Sequence, residues 1–355
     1  MLHNIFNKKI IFIAEIGLNH NGDLKLAEQM IIKAAEAGAD AVKFQTFIPE
    51  KMISPYSSYL LEKGRGNGNE GNEGKNDNKE YKDYEIIDFF KKFCFTSGQW
   101  KTLKDMAERC NVEFFSAPFD NESVDLLEDL NVRLYKIASS ELTNTPLLRK
   151  IASAKKPVIL STGMSKPEEI ETAIENLKRY GSPEIVLLHC VSLYPTEKNE
   201  ANLNRIVSLS EKFKVPVGLS DHTGDYETAL IAAALGAVVF EKHFIIDNNH
   251  ECPDKVVSIT ADQFKDMIDK VNHTIAIMGE GKIEYSGRET HTALGARRSL
   301  FADKNIKSGD ILTEEDVTAL RPGTGLSPEM IDDIVGKISK TDIDAGSILK
   351  QEYFE

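Results

Sequence analysis

The sequence predicts a closed (β/α)8 barrel followed by a small β-rich domain. Three observations carry this. Eight short apolar, β-rich runs alternate with segments of helical period. The first run ends in Glu15-Ile16-Gly17-Leu18-Asn19-His20, without the GxGxxG turn of an open dinucleotide-binding sheet. From about Arg297 the alternation stops and short strand-like runs take over.

The runs are Ile10 to Gly17, Ala41 to Phe47, Val112 to Phe119, Arg133 to Ser139, Pro157 to Gly163, Ile185 to Ser192, Pro216 to Thr223 and Val238 to Ile246. Between them lie helical patterns. Asp23 to Gly38 has an acidic start and a glycine stop, and Lys166 to Tyr180, Leu203 to Phe213 and Tyr226 to Leu235 follow the same period. The barrel is assigned to 1–281, a polar linker to 282–296 and the small domain to 297–355. In the small domain Ile306-Lys-Ser-Gly309-Asp-Ile311-Leu312 is echoed by Ile343-Asp-Ala-Gly346-Ser-Ile348-Leu349, each with a turn glycine before an apolar pair. The segment 64–80 is almost entirely Gly, Asn, Glu, Asp and Lys, and is expected to be a loop, either a lid or an insertion without a role.

Composition excludes several classes. With 355 residues, 41% hydrophobic and 28% charged, the chain has the balance of a soluble globular protein and needs no disulfide staples. No run of about 18 apolar residues is present, so a membrane span is not expected. The apolar run Ile10 to Ala14 is too short for a secretory signal. The net charge of −13 argues against a nucleic-acid partner. Cys94, Cys110, Cys190 and Cys252 show no zinc spacing, so a reducing cytoplasm is the expected compartment, and Cys190 reads as a buried strand residue.

Barrel active sites form at the C-terminal strand ends, and polar residues gather there at nearly every strand. Lys43 and Gln45 share one parity, as do Glu241 and His243. Lys43 and Lys136, with Ser139, Ser161 and Ser220, make a donor set for a phosphate or carboxylate. An internal ion pair of Lys43 with Glu15 or Glu141 is the structural alternative. Glu15 and Glu141 are candidates for proton transfer if their environments separate their pKa values. His222 and His243 end adjacent strands and could share a divalent ion, or be ordinary cleft histidines. His20 could also reach the mouth. Asp254 reads as a sugar or metal contact, or as a turn former after Pro253; Arg321 reads as a ligand contact or a solvated loop residue. These residues alone indicate a metal-assisted barrel enzyme acting on a phosphorylated or carboxylated small molecule.

Longer segments carry a resemblance. AEIGLNHNG (14–22), GADAVKFQTF (38–47), FSAPFD (115–120), YKIASSE (135–141), LSTGM (160–164), HCVSLYPT (189–196), VGLSDHT (217–223), ALGAVVFEKHF (234–244), Pro253-Asp254 and RPGTG (321–325) together resemble the sialic acid synthase family. The resemblance implies a TIM barrel followed by an antifreeze-like SAF domain, and a domain-swapped homodimer. It implies condensation of phosphoenolpyruvate with an open-chain N-acetylated hexose, such as N-acetylmannosamine, to a nine-carbon 2-keto acid and phosphate. In that reading Lys43, Lys136, Ser139, Ser161 and Ser220 hold phosphoenolpyruvate. Gln45, Tyr194, Asp254 and Arg321 contact the sugar, and Glu15 and Glu141 move protons. His222 and His243 hold Mn²⁺, or another divalent ion such as Mg²⁺ or Co²⁺. Three positions depart from the family pattern: Ala117 stands where many relatives have Thr, Cys252 where they often have Gly, and Gly295 to Arg298 where some have an aromatic. Legionaminic, pseudaminic and 6-phosphate-sugar synthases share the resemblance. A synthase for shorter sugars leaves the SAF-like tail unexplained, and a non-catalytic carbohydrate-binding protein leaves the Lys, Glu and His set unexplained.

Overall fold

The computed structural model describes residues 9–54 and 84–355; the 64–80 loop lies outside them. Two compact units divide the chain at Gly279/Glu280.

The first unit contains eight parallel strands: β1 Ile11–Gly17, β2 Ala41–Thr46, β3 Glu113–Pro118, β4 Tyr135–Ile137, β5 Val158–Ser161, β6 Ile185–His189, β7 Val217–Asp221 and β8 Val239–Ile245. Their order is β3-β2-β1-β8-β7-β6-β5-β4, with the first strand paired to the last and β3 against β4 at the remaining seam. Such an order is a barrel. A short β9, Ser258–Thr260, pairs beside β8.

The strands read as near-continuous hydrophobic runs because both faces are covered. Phe12, Ala14, Ile16, Val42, Phe44, Tyr135, Leu160, Leu187, Leu219 and Phe240 face the outer helices. Ile11, Ile13, Ala41, Phe115, Leu134, Ile159, Val186, Leu188 and Val239 fill the barrel interior. Strand alternation does the sorting. Two residues beyond this apolar plug, the same parity brings Glu15, Lys43, Lys136, Ser161, Cys190, Ser220 and Glu241 to the mouth. The inward stripe is therefore apolar at the base and polar at the top.

Helix boundaries follow local chemistry. Asp23 caps α1, Leu24–Glu36, by accepting from the amides of Lys25 and Leu26. The short α2 is Pro49–Met52, and α3, Tyr84–Lys91, leads to α4, Ser97–Arg109, which opens on a Thr96/Gln99 capping box. Then come α5 Asn121–Asp129, α6 Thr145–Ser153 and α7 Pro167–Tyr180, the last ended by Gly181 in the left-handed region. The remaining barrel helices are α8 Arg205–Phe213, α9 Glu227–Ala234 and α10 Ala261–Met278.

In the second unit, β10 Ser299–Ala302 and β11 Val317–Leu320 form an antiparallel pair. The internal repeat is structural. Ile306 and Ile343 bridge each other with reciprocal backbone hydrogen bonds, and Leu312 and Leu349 are both buried in one small core. The stretch 282–296, assigned as a polar linker, is not wholly irregular. It contains a helix, α11 Gly287–Ala296, opened by a Ser286/Glu289 capping box. Among the described residues no helix is long and apolar enough to cross a membrane.

Candidate active site

A cleft of about 320 Å³ opens at the C-terminal strand ends. Nearly every barrel strand contributes to it, so its side chains stand on rigid elements.

At its floor two lysines and two glutamates interlock. Lys43 Nζ is 2.7 Å from Glu15 Oε2 and 3.7 Å from Glu241 Oε2. Lys136 Nζ is 3.7 Å from Glu241 Oε1 and donates to Ser161 Oγ at 2.6 Å. Ser220 Oγ donates to Glu241 Oε1 at 2.9 Å, while Glu241 Oε2 accepts no hydrogen bond. All six side chains are buried. The Lys43–Glu15 ion pair is therefore present. It does not exhaust the site, because Lys136 remains as a second cation beside hydroxyl donors.

Burial dominates the protonation equilibria here. It raises the Glu15 carboxyl to about 7, against the opposing pull of Lys43. It also opposes charge on Glu241, but Lys136 and Lys43 outweigh it and hold that carboxyl below its usual range. Lys43 is desolvated too, yet Glu15 and Glu241 raise it overall. Lys136 is lowered by burial. The sign for Glu15 follows. Its folded pKa lies above the unfolded 4.5, so its contribution to stability is full below about 4.5 and is lost as pH rises through about 7. Urea midpoints of the wild type should fall from pH 5 to pH 8 relative to those of Glu15→Gln. Parallel pH profiles would show that Glu15 has an ordinary acidity.

Gly17 permits this floor. Its φ of +50° lies in the left-handed region, and a Cβ there would stand 2.8 Å from Glu15 Oε1 and 3.3 Å from Gln45 Nε2. Gln45 donates to Glu15 Oε1 at 3.3 Å. On the opposite wall Ser139 Oγ accepts from the Gly163 amide at 3.0 Å and touches Cys190 Sγ at 3.0 Å. Cys190 is buried, as expected, and also lines the cleft.

The rim carries the histidines. Residues 219–221 of β7 are level with 240–242 of β8, which sets His222 beside His243 with ring centres 5.4 Å apart. The outward Lys242 ties the two strand ends, pairing with Asp221 at 2.9 Å and donating to the Thr223 carbonyl at 2.6 Å. His222 Nδ1 lies 2.8 Å from the Val191 carbonyl, which makes it the protonated nitrogen and leaves Nε2 to accept from Tyr194 Oη at 3.1 Å. His243 Nδ1 has no hydrogen-bond partner and is 3.4 Å from Asp254 Oδ2. Burial lowers both imidazoles, most strongly His243, where His222 adds to the effect. It raises the Asp254 carboxyl to about 6.

Among the described residues no group of three or more His, Cys, Asp or Glu side chains is arranged to hold a metal ion. Two buried imidazoles kept neutral, one with an unpartnered ring nitrogen, nevertheless suit a divalent ion that draws its other ligands from water and substrate.

Two expected residues, Glu141 and His20, do not line the cleft, and a third lies in the second unit. Glu141 does not line the cleft; it ends a 3₁₀ turn, Ser139–Glu141, and accepts from Asn144 Nδ2 at 2.7 Å and Ser140 Oγ at 3.1 Å. Arg321 is exposed in the second unit, just after β11. His20 does not reach the mouth. It is fully buried against Phe44, Phe93 and Phe95, and its Nδ1 accepts from the Gly22 amide. The residue missed as a site member is Glu241, which touches three of the five anion-site residues. Its shared parity with His243 was the available signal.

Comparison with known proteins places this arrangement. The NeuB family model matches residues 30–283, and the SAF domain model matches 297–355. The chain belongs to the NeuB family. It is 38% identical to the N,N'-diacetyllegionaminic acid synthase of Campylobacter jejuni subsp. jejuni, over 97% of this chain and 100% of that protein. It is 37% identical to a pseudaminic acid synthase of the same subspecies, over 98% of both chains. Among solved structures it resembles the N-acetylneuraminic acid (sialic acid) synthetase of Leptospira borgpetersenii serovar Hardjo-bovis in complex with citrate. There the TM-score is 0.70 with 33% identity, covering 81% of this chain and 90% of that one. This NeuB-family chain thus joins a barrel of eight parallel strands to a SAF domain with a small antiparallel sheet.

Proposed function

We propose that the protein is a nonulosonic acid synthase that condenses phosphoenolpyruvate with an open-chain N-acetylated hexose, releasing phosphate. The observation that carries this is the division of one cleft into two ends. Lys43, Lys136, Ser161 and Ser220 converge at the floor, and His222, His243 and Tyr194 at the rim, with Asp254 beside His243 rather than in the cleft lining. An anionic three-carbon substrate suits the first, and a polyhydroxylated aldehyde the second.

Phosphoenolpyruvate places its phosphate and carboxylate against Lys43, Lys136, Ser139, Ser161 and Ser220. Glu241 holds both ammonium groups toward the cleft. The sugar lies across Gln45, Tyr194 and Asp254. His222 and His243 would hold a divalent ion, Mn²⁺ or a relative, which would supply Lewis-acid polarisation of the sugar carbonyl. Carbon three of phosphoenolpyruvate forms a bond to the aldehyde carbon, whose oxygen takes a proton from solvent and becomes a hydroxyl. Water adds to carbon two. The bond from carbon two to the bridging oxygen then breaks, phosphate leaves with that oxygen, and the ketone remains. Glu15, poised near neutrality, takes the proton of the attacking water. Glu141 reaches this chemistry only if its turn moves, so Glu15 is assigned the larger share.

Arg321 is assigned to the N-acyl oxygen of the sugar, delivered in a domain-swapped homodimer whose SAF domain covers a partner barrel. Exposed Met164, Leu193 and Val256 give the barrel unit apolar surface for such a cover. Four free cysteines fit a cytoplasmic home. The similarity to a diacetyllegionaminic acid synthase favours including sugars with two N-acetyl groups.

The test is phosphate release from phosphoenolpyruvate with Mn²⁺, across N-acetylated hexoses and their 6-phosphates, with and without EDTA. Sugar-dependent, EDTA-sensitive release supports the reading. Phosphoenolpyruvate binding without turnover on any sugar would favour a binding protein.

A further inference from the structure

Asp254 stands on a twelve-residue excursion, 246–257, between β8 and β9. A loop of that length does not by itself hold a carboxylate 3.4 Å from a buried imidazole. The turn after β1 does so. Asn19 is fully buried, and every polar group of its side chain is used on this one loop and its flanks. Nδ2 donates to the Phe244 carbonyl at 3.0 Å and to Ser258 Oγ at 2.9 Å. Oδ1 accepts from the Asp254 amide at 3.2 Å. The Asn19 carbonyl lies 2.7 Å from His250 Nε2, and Asn21 Nδ2 donates to the Glu251 carbonyl at 2.7 Å. Ser258 closes the ring by donating to the Asp254 carbonyl at 2.7 Å.

We infer that Asn19 is a positioning residue that sets sugar affinity by fixing the Asp254 backbone through the β1 turn. It touches no cleft-lining atom itself; its amide bridges the strand before the loop, the strand after it and the residue between. A carboxamide is needed, because the site calls for two donors and one acceptor in one plane, and aspartate or serine lacks one of them. The inference rests on the assignment of Asp254 to the sugar.

The experiment is a double-mutant cycle on the full chain, with sugar KM, kcat and phosphoenolpyruvate affinity by calorimetry read separately. Asn19→Ser should raise the sugar KM by about 5- to 30-fold, the worth of one to two hydrogen bonds, with phosphoenolpyruvate affinity unchanged. In an Asp254→Ala background the same substitution should change the sugar KM less than twofold. Ser258→Ala, which removes one acceptor of Asn19 and the donor to the Asp254 carbonyl, should show a smaller shift in the same direction and serves if Asn19→Ser does not fold. A loss of thermal stability with both Michaelis constants unchanged, or full additivity with Asp254→Ala, would overturn the inference. If Asp254→Ala itself leaves the sugar KM unchanged, the sugar assignment fails instead.

Discussion

Lys43→Ala should lose kcat/KM by about 10³-fold and destabilise the barrel by about 3–5 kcal/mol near neutral pH. The two losses share one cause. Lys43 is the counter-charge common to Glu15 and Glu241, and all three are buried. Without the ammonium group, two desolvated carboxylates face each other across the floor, and an anionic substrate would add a third negative charge. The pH dependence separates this from ordinary cavity damage. Both carboxyls would be pushed upward and take protons as pH falls, so the stability deficit should shrink from pH 8 to pH 5. Urea midpoints at both values, with phosphoenolpyruvate affinity by calorimetry, check it. A deficit equal at both pH values with unchanged affinity would mean that the lysine only fills space.

His222→Ala and His243→Ala should each lower turnover by at least about 10³-fold, the equivalent of the several kcal/mol that carbonyl polarisation supplies. Neither ring is part of the hydrophobic core, so the fold should persist. Mn²⁺ binding followed by electron paramagnetic resonance should be lost in both variants, while phosphoenolpyruvate still binds at the floor. The ring spacing of 5.4 Å and the lowered basicity of both imidazoles, which keeps them neutral, motivate this expectation. Full EDTA-sensitive turnover in both variants would sink the metal assignment.

Much of the fold was legible because strand alternation writes itself into sequence. Ile11-Ile13-Glu15 and Val239-Glu241-His243 each pass from apolar plug to polar mouth on one parity. The same rule could have recovered Glu241. β8 presents three charged or titratable residues in a row, and the register of Glu241 against Ser220 is what ties it to the anion-site residues. Glu141 was harder. β4 ends at Ile137, and the following 3₁₀ turn breaks the alternation, so parity no longer reports direction. His20 lies in a turn, where no period exists, and only the aromatic cluster of Phe44, Phe93 and Phe95 explains its burial. The helix α11 was hidden by polar composition, although its Ser286-x-x-Glu289 box was in plain view. The role of Asn19 is not legible in the sequence, since its side-chain partners lie 225 to 239 positions away.

The measurement that bears most directly on the synthase reading is turnover of phosphoenolpyruvate and the best sugar in ¹⁸O-labelled water, with mass analysis of both products. Addition of water at carbon two followed by loss of phosphate predicts unlabelled phosphate and a nine-carbon 2-keto acid. Label in the phosphate, with pyruvate in place of that acid, would show hydrolysis at phosphorus and contradict a carbon–carbon bond-forming reaction.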